Sequence, residues 1–261
     1  MQWMHLVLDT PPAMWVPGVQ FWATVTGTRS SVDEPGTSDA NELVPVDGTG
    51  WLAMRRVLTG PSGVHLVLEV DAPDEVVSQA VRRGATREAG ADGDGGLRSP
   101  GGLPFRVVQK SGPRTPWIAR GGPGDIADQV CIDVPPGKWS REVPFWRDIT
   151  GRVLETGLRP EFAFLGDPDP GGPPRVLLQR LNSPAGNVAA HLDLVTADRA
   201  RSVAQHERLG AQVRAVYAAW TVMTAPSGHS YCLTDRDPTT GRVRRQRTAN
   251  LGPDAGARSP T

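Results

Sequence analysis

A chain of 261 residues with 28 basic and 28 acidic side chains carries no net charge, so no global field draws it to nucleic acid or to an acidic membrane. Its two cysteines, Cys131 and Cys232, are too few to staple a scaffold of this size, which points to reduced thiols and a cytoplasmic protein. Hydrophobic residues make up 38% of the chain, enough for one large core or two ordinary ones, while 30 Gly and 25 Pro call for many turns.

Met1 to Val7 lacks the basic and apolar regions of a signal peptide, and no stretch approaches the ~20 apolar residues of a membrane span. Met4 to Leu8 alternates as a strand. Val16 to Val25, with Phe21-Trp22, reads as a helix closed by Gly27. Asn41 to Val46 and Trp51 to Leu58 are strand-like, with the hairpin signal Asp47-Gly48-Thr49-Gly50 between them. Val64 to Val70 is a further strand. Asp74 to Arg83 is an amphipathic helix stopped by Gly84, and Leu97 to Ser99 with Pro104 to Gln109 forms a closing hairpin. Ser111 to Gly124 has no periodicity.

The pattern then begins again. Phe21-Trp22 and Gly27 recur 124 residues on as Phe145-Trp146 and Gly151. His65-Leu66, Gly84-Ala85, Pro100 and Gly102 recur at 126 residues as His191-Leu192, Gly210-Ala211, Pro226 and Gly228. His5, Asp9 and Pro11 fall on Gln129, Asp133 and Pro135. Matches in one order at a nearly constant offset imply two homologous domains in tandem. Each runs strand, helix, three strands, twice over. The expected division is domain 1 over 1–110, a linker over 111–124, domain 2 over 125–238 and a disordered tail over 239–261.

Each half resembles the vicinal oxygen chelate superfamily, in its glyoxalase-like and bleomycin-resistance-like branch. The likeness rests on Phe-Trp-x4-Gly after the first strand, His-Leu-x-Leu opening the fifth, Gly-Ala after the second helix, Trp220-Thr221-Val222-Met223, and the ending Ala225 to Leu233. It implies an α+β fold of paired βαβββ modules, each pair forming an open cup. In metal-dependent members the cup holds a divalent ion, bound by His, Gln or Glu on the first strand, His on the fifth and Glu on the last. The matching positions are His5, His65 and Arg106 in domain 1, and Gln129, His191 and Cys232 in domain 2. A cation at 106 opposes a divalent metal, so none is expected in domain 1. In domain 2 a thiol stands where the carboxylate belongs, and a metal-free cup is preferred to a mixed Gln/His/Cys site.

Each candidate has a plainer alternative. His191, with Asp193 on its strand face, serves as ligand or general base, or lines a cavity by hydrogen bonding. Cys232 is a nucleophile with His191 as base, or a small filler. Cys131 packs or lines the cup. Arg106 pairs with Glu69, or binds an anion. Gln179-Arg180 offers polar contacts, or Arg180 is a solvated edge charge. Trp22 and Trp146 anchor helix to sheet. Phe162, Phe164 and Trp220 wall the second cup for an aromatic ligand, or pack in a core.

The expected function is small-molecule binding in the domain 2 cup by Gln129, Phe164, Arg180, His191, Trp220 and Cys232, without a standard metal centre. The alternative is a metal-dependent lyase, isomerase or dioxygenase using Gln129, His191 and Cys232. A third possibility makes one half a scaffold for the other. A monomer or weak homodimer is expected, with no nucleic acid and no membrane as partner.

Overall fold

In a computed structural model, residues 3–31, 40–44, 50–88, 96–112, 125–157, 159–166 and 174–237 are described. Residues 47–49 of the expected hairpin turn, most of the linker and the tail lie outside them. No helix among the described residues is long and apolar enough to cross a membrane.

The first half runs β1 (Trp3–Thr10), α1 (Pro12–Thr26), β2 (Arg29–Ser30), β3 (Ala40–Val44), β4 (Leu52–Arg56), β5 (Gly63–Val70), α2 (Pro73–Arg82), β6 (Thr86–Arg87), β7 (Leu97–Arg98) and β8 (Pro104–Gln109). The second half repeats it: β9 (Ile126–Val134), a short 3-10 turn over Pro136–Lys138, α3 (Trp139–Thr150), β10 (Val153–Thr156), β11 (Phe162–Gly166), β12 (Arg175–Arg180), β13 (Ala189–Val195), α4 (Arg199–Arg208), β14 (Gln212–Val216), β15 (Trp220–Thr224) and β16 (Ser230–Thr234). This is the α+β architecture the repeat implies.

Each half forms an eight-stranded sheet, in the orders β2-β3-β4-β1-β5-β8-β7-β6 and β10-β11-β12-β9-β13-β16-β15-β14. The two modules of a half join antiparallel through their first strands, β1 with β5 and β9 with β13. Period-2 alternation then sorts the residues. In β13, Leu192 and Leu194 are buried on the helix side, while His191 and Asp193 face the opposite, concave side. The same alternation puts Val130, Ile132 and Val134 of β9 in the core and Gln129, Cys131 and Asp133 in the cup.

Helix α1 begins earlier than its apolar run suggests, at Pro12. Proline suits a first helical turn, whose N–H groups lack intrahelical partners. Gly27 and Gly151 close α1 and α3 in the left-handed region, at φ 63° and 64°, as the Phe-Trp-x4-Gly spacing requires.

The helices bind the halves together. Trp22 of α1 packs edge-on against Tyr231 of β16, with ring centroids 5.1 Å apart. Trp146 of α3 packs against Phe105 of β8 at 5.4 Å. The expected helix-to-sheet anchors therefore anchor each half to the other. The two contacts are related by the repeat, but their polar fittings differ. Trp22 Nε1 donates to Ser227 Oγ at 3.0 Å. Trp146 Nε1 donates to Glu142 on its own helix at 2.7 Å, and Glu142 also accepts from Gly101 N.

His229 sits in the turn before β16 and faces domain 1. Its Nε2 meets two carbonyls, Asp9 O at 3.1 Å and Gly63 O at 2.9 Å. That nitrogen therefore carries the hydrogen, and Nδ1 accepts from Ser227 Oγ at 2.9 Å. A directed chain runs from Trp22 through Ser227 and His229 to the ends of β1 and β5.

Candidate functional site

The concave face of the second sheet brings Gln129, His191 and Cys232 together, from three neighbouring strands. Asp193 pairs in register with Gln129 on one side and Cys232 on the other, and His191 pairs with Cys131. His191 is the centre of the group. Its Nδ1 lies 2.7 Å from Asp133 Oδ2. Its Nε2 lies 3.3 Å from Asp193 Oδ1 and 3.4 Å from Cys232 Sγ. The sequence suggested Asp193 as the orienting acid; the shorter contact is made by Asp133, with Asp193 on the opposite ring nitrogen.

The charges follow from this packing. Burial alone would push His191 down, but the Asp133 carboxylate reverses this and holds it well above its ordinary value. Its Nδ1 is set against Asp133 and its Nε2 against Asp193 and Cys232. Burial raises Asp193 too, yet His191, Arg236 and Gln129 outweigh burial and leave it lowered. Burial pushes both thiols up, Cys131 and Cys232 alike, despite His191 beside them.

Arg236 was not foreseen. Its NH1 donates to Gln129 Oε1, and its NH2 to Asp128 Oδ1 at 2.7 Å. The amide of Gln129 is turned to Asp193 Oδ2 at 2.6 Å. Two adjacent residues, Asp128 and Gln129, both reach Arg236 because the β9–β13 register slips there: Asp193 pairs with Gln129 and Leu194 with Ala127, leaving Asp128 bulged. Burial raises Asp128 to about 6 although Arg236 pulls it down.

Two groups bring potential metal ligands within 4.8 Å of one another among the described residues: Cys131, Asp133 and His191, and His191, Asp193 and Cys232. As arranged, these donors do not fit the centre expected from the resemblance. The only ligating oxygen of Gln129 accepts from a guanidinium, and that guanidinium lies 3.7 Å from Asp193. Both His191 nitrogens face carboxylates. A fixed cation thus stands beside the donors that an ion would need free.

The first cup keeps one part of this plan. His65 Nδ1 donates to Asp9 Oδ2 at 2.8 Å, as His191 does to Asp133. Asp9 also accepts from Arg55 Nε at 2.7 Å. Burial would raise Asp9, but these two partners leave it lowered. His5 Nε2 donates to Glu69 Oε1 at 3.1 Å. Arg106 pairs in register with Val67, beside them. Both histidines of this triad therefore hold carboxylates.

Around the second cup, Phe162 and Phe164 of β11 stand in register with Gln179 and Leu177 on the same concave face. Trp220 of β15, on the opposite wing of the sheet, comes within 6.3 Å of Phe162, centroid to centroid, in an edge-on contact. Tyr217 stacks on Trp220 at 4.8 Å, and the Arg159 guanidinium lies over it at 5.8 Å. The wings of the sheet thus meet in an aromatic bridge over the His191 floor. Arg180, offered above as a ligand contact, is on the other side: it is exposed next to helix-side Leu178 and lies over Trp139 at 6.0 Å. Gln179 is the member of that pair facing the cup, where its Oε1 lies 3.5 Å from Cys131 Sγ.

Comparison with known proteins follows the geometry. The family model described as a glyoxalase-like domain matches twice, over residues 5–108 and 129–234. No curated protein matches the chain. Among solved structures, 2,2',3-trihydroxybiphenyl 1,2-dioxygenase from Sphingomonas wittichii RW1 is 16% identical, with 88% of each chain covered and a TM-score of 0.56. A Mn(II)-bound glyoxalase from Novosphingobium aromaticivorans is also 16% identical, covering 88% of this chain and 80% of its own, with a TM-score of 0.58. The 2,3-dioxygenase LapB from Pseudomonas sp. KL28 is 12% identical, covering 88% and 90%, at 0.58. At these identities the likeness concerns the fold.

Proposed function

From the premise that this chain belongs to the glyoxalase-like domain family, in two tandem copies, we propose that its second domain binds a small organic molecule with a flat aromatic part and performs no metal chemistry on it. The observation that carries this is the Phe162–Trp220 bridge above a floor of His191, Gln129 and Cys232. An aromatic ligand inserted between the two wings replaces one ring contact by two, which holds its apolar surface away from water. Beneath it, the half-buried amide of Gln179 offers hydrogen bonds to ligand oxygens. The floor supplies fixed charges that orient the ligand, and its only cysteine within reach of His191 Nε2 is a protonated thiol.

The dioxygenase named above supplies a probe, 2,2',3-trihydroxybiphenyl. Tryptophan fluorescence should quench saturably on its addition, and Trp220→Ala and Phe164→Ala should weaken the effect. The probe should be recovered unchanged after prolonged incubation, by mass spectrometry. Its conversion to another compound would refute the binding-only function.

A second function rests on the His191, Asp193 and Cys232 donors lying within 4.8 Å of one another. It is a metal-dependent lyase, isomerase or dioxygenase in which Asp193 supplies the carboxylate missing at 232. It requires stoichiometric metal on protein purified without chelator, measured by elemental analysis.

A further inference from the structure

Away from both cups, a cleft of about 460 Å³ lies where the C-terminal end of α2 meets α3. Arg82 and Arg83 line it from domain 1, and Arg141 lines it from domain 2, above Gly84 and Pro100. All three arginines are exposed. Arg83 is bonded to Asp148, which also accepts from Arg147 at 2.6 Å. Arg82 and Arg141 have no charged or hydrogen-bonding partner among the described residues. Glu142, the acidic group next to Arg141 on α3, is turned inward to Trp146 and Gly101.

The tandem repeat supplies an internal control. The equivalent groove pairs α4 with α1 and keeps the framework, with Gly210 and Pro226 in place of Gly84 and Pro100. There Arg83 becomes Leu209 and Arg141 becomes Pro17, so that one arginine, Arg208, remains. The fold therefore does not require the cluster. Two like charges left without partners on facing helices repel each other across the cleft, a cost that an anion removes.

We propose that this cleft binds a small phosphate-bearing molecule. The guanidinium fork presents paired N–H groups matched to phosphate oxygens, and two unpaired forks facing one cleft suit a ligand of at least two negative charges. The volume falls within the range of about 300–1,000 Å³ typical of small-molecule sites. Three arginines at one spot, in a chain with no net charge, make no track for a nucleic-acid backbone. Such a ligand would touch both domains.

The test is calorimetric titration of the full chain with inorganic pyrophosphate and, separately, citrate. Wild-type protein should bind pyrophosphate at one saturable site, more tightly than citrate, and more weakly as salt is raised. The Arg82→Gln/Arg141→Gln variant should lose about tenfold or more in affinity, which corresponds to about 1.4 kcal/mol. Its melting temperature without ligand should be unchanged or slightly raised, since both side chains are exposed and their mutual repulsion is removed. Arg208→Gln, in the equivalent groove, should bind as wild type does. The proposal is overturned if wild type shows no saturable binding at millimolar pyrophosphate, or if citrate is preferred. It is also overturned if the double variant binds equally well, or if Arg208→Gln loses as much.

Discussion

Arg236 holds the carbonyl oxygen of Gln129, the one atom through which that residue could ligate a metal. The guanidinium also bonds Asp128 and lies near Asp193, so one side chain balances two buried acids. Arg236→Met would take from Asp128 its closest cation and leave Asp193 to His191 and Gln129. We expect a loss of about 3–5 kcal/mol in stability by urea denaturation, as for other buried pairs stripped of one partner. We also expect a gain of zinc affinity over wild type by calorimetry. Equal zinc affinity in both proteins would show that Arg236 does not compete with a metal.

His229 and His191 respond to pH in opposite senses. Burial lowers His229, so the folded state binds its proton less readily than the unfolded chain. Its contribution is present above the ordinary value near 6.5 and is lost as pH falls through the lowered value. His191 is raised; its contribution is present below 6.5 and is lost as pH rises through its folded value. His229→Gln should therefore flatten the acid side of a plot of melting temperature against pH and leave the alkaline side in place. It should also cost about 1–3 kcal/mol at pH 7.5, the penalty for buried groups left without partners. A variant whose melting temperature still falls as steeply with acid would assign that sensitivity to another group.

Neither thiol is poised to react. Both are buried, and burial raises both. Native protein should react with an aromatic disulfide reagent at pH 8 more than about tenfold more slowly than a small free thiol, because access and thiolate fraction fall together. In guanidinium chloride two thiols should react at once. A fast single thiol in native protein, abolished by Cys232→Ala, would make Cys232 a nucleophile after all.

Gly18 of α1 faces Ser227 so closely that an added Cβ would lie 2.8 Å from Ser227 Cβ and 3.0 Å from Met54 Cε. Gly18→Ala should cost about 1–3 kcal/mol through overpacking. Ser227→Gly in the same chain should recover part of that loss, a coupling measurable by a double-mutant cycle. Full additivity of the two changes would mean that the backbones shift apart instead.

The tandem fold was legible because its signals are local and repeated. Phe-Trp-x4-Gly needs only a helix with a left-handed cap, and His-Leu-x-Leu needs only strand alternation. The His191–Cys232 approach was legible for the same reason, since both residues sit on cup faces of adjacent strands. Arg236 was not, because it lies beyond the last strand and meets Gln129 through a bulge at Asp128, and a bulge leaves no mark in a period-2 pattern. Arg180 was misplaced by a single step of that alternation, with Gln179 taking the inward position. The place of His229 left no local signal, because its partners, Asp9 and Gly63, lie 220 and 166 residues away in the other half.

Across the junction between the halves, bulk and space have been traded. On one side Gly18 makes room for Ser227; on the other Glu142 fills the room left by Gly101. A protein assembled from two copies of the first half would set glycine against glycine and leave a void. One assembled from two copies of the second would drive a glutamate into a serine. The duplicated halves have become complementary parts, and neither can stand in for its sibling.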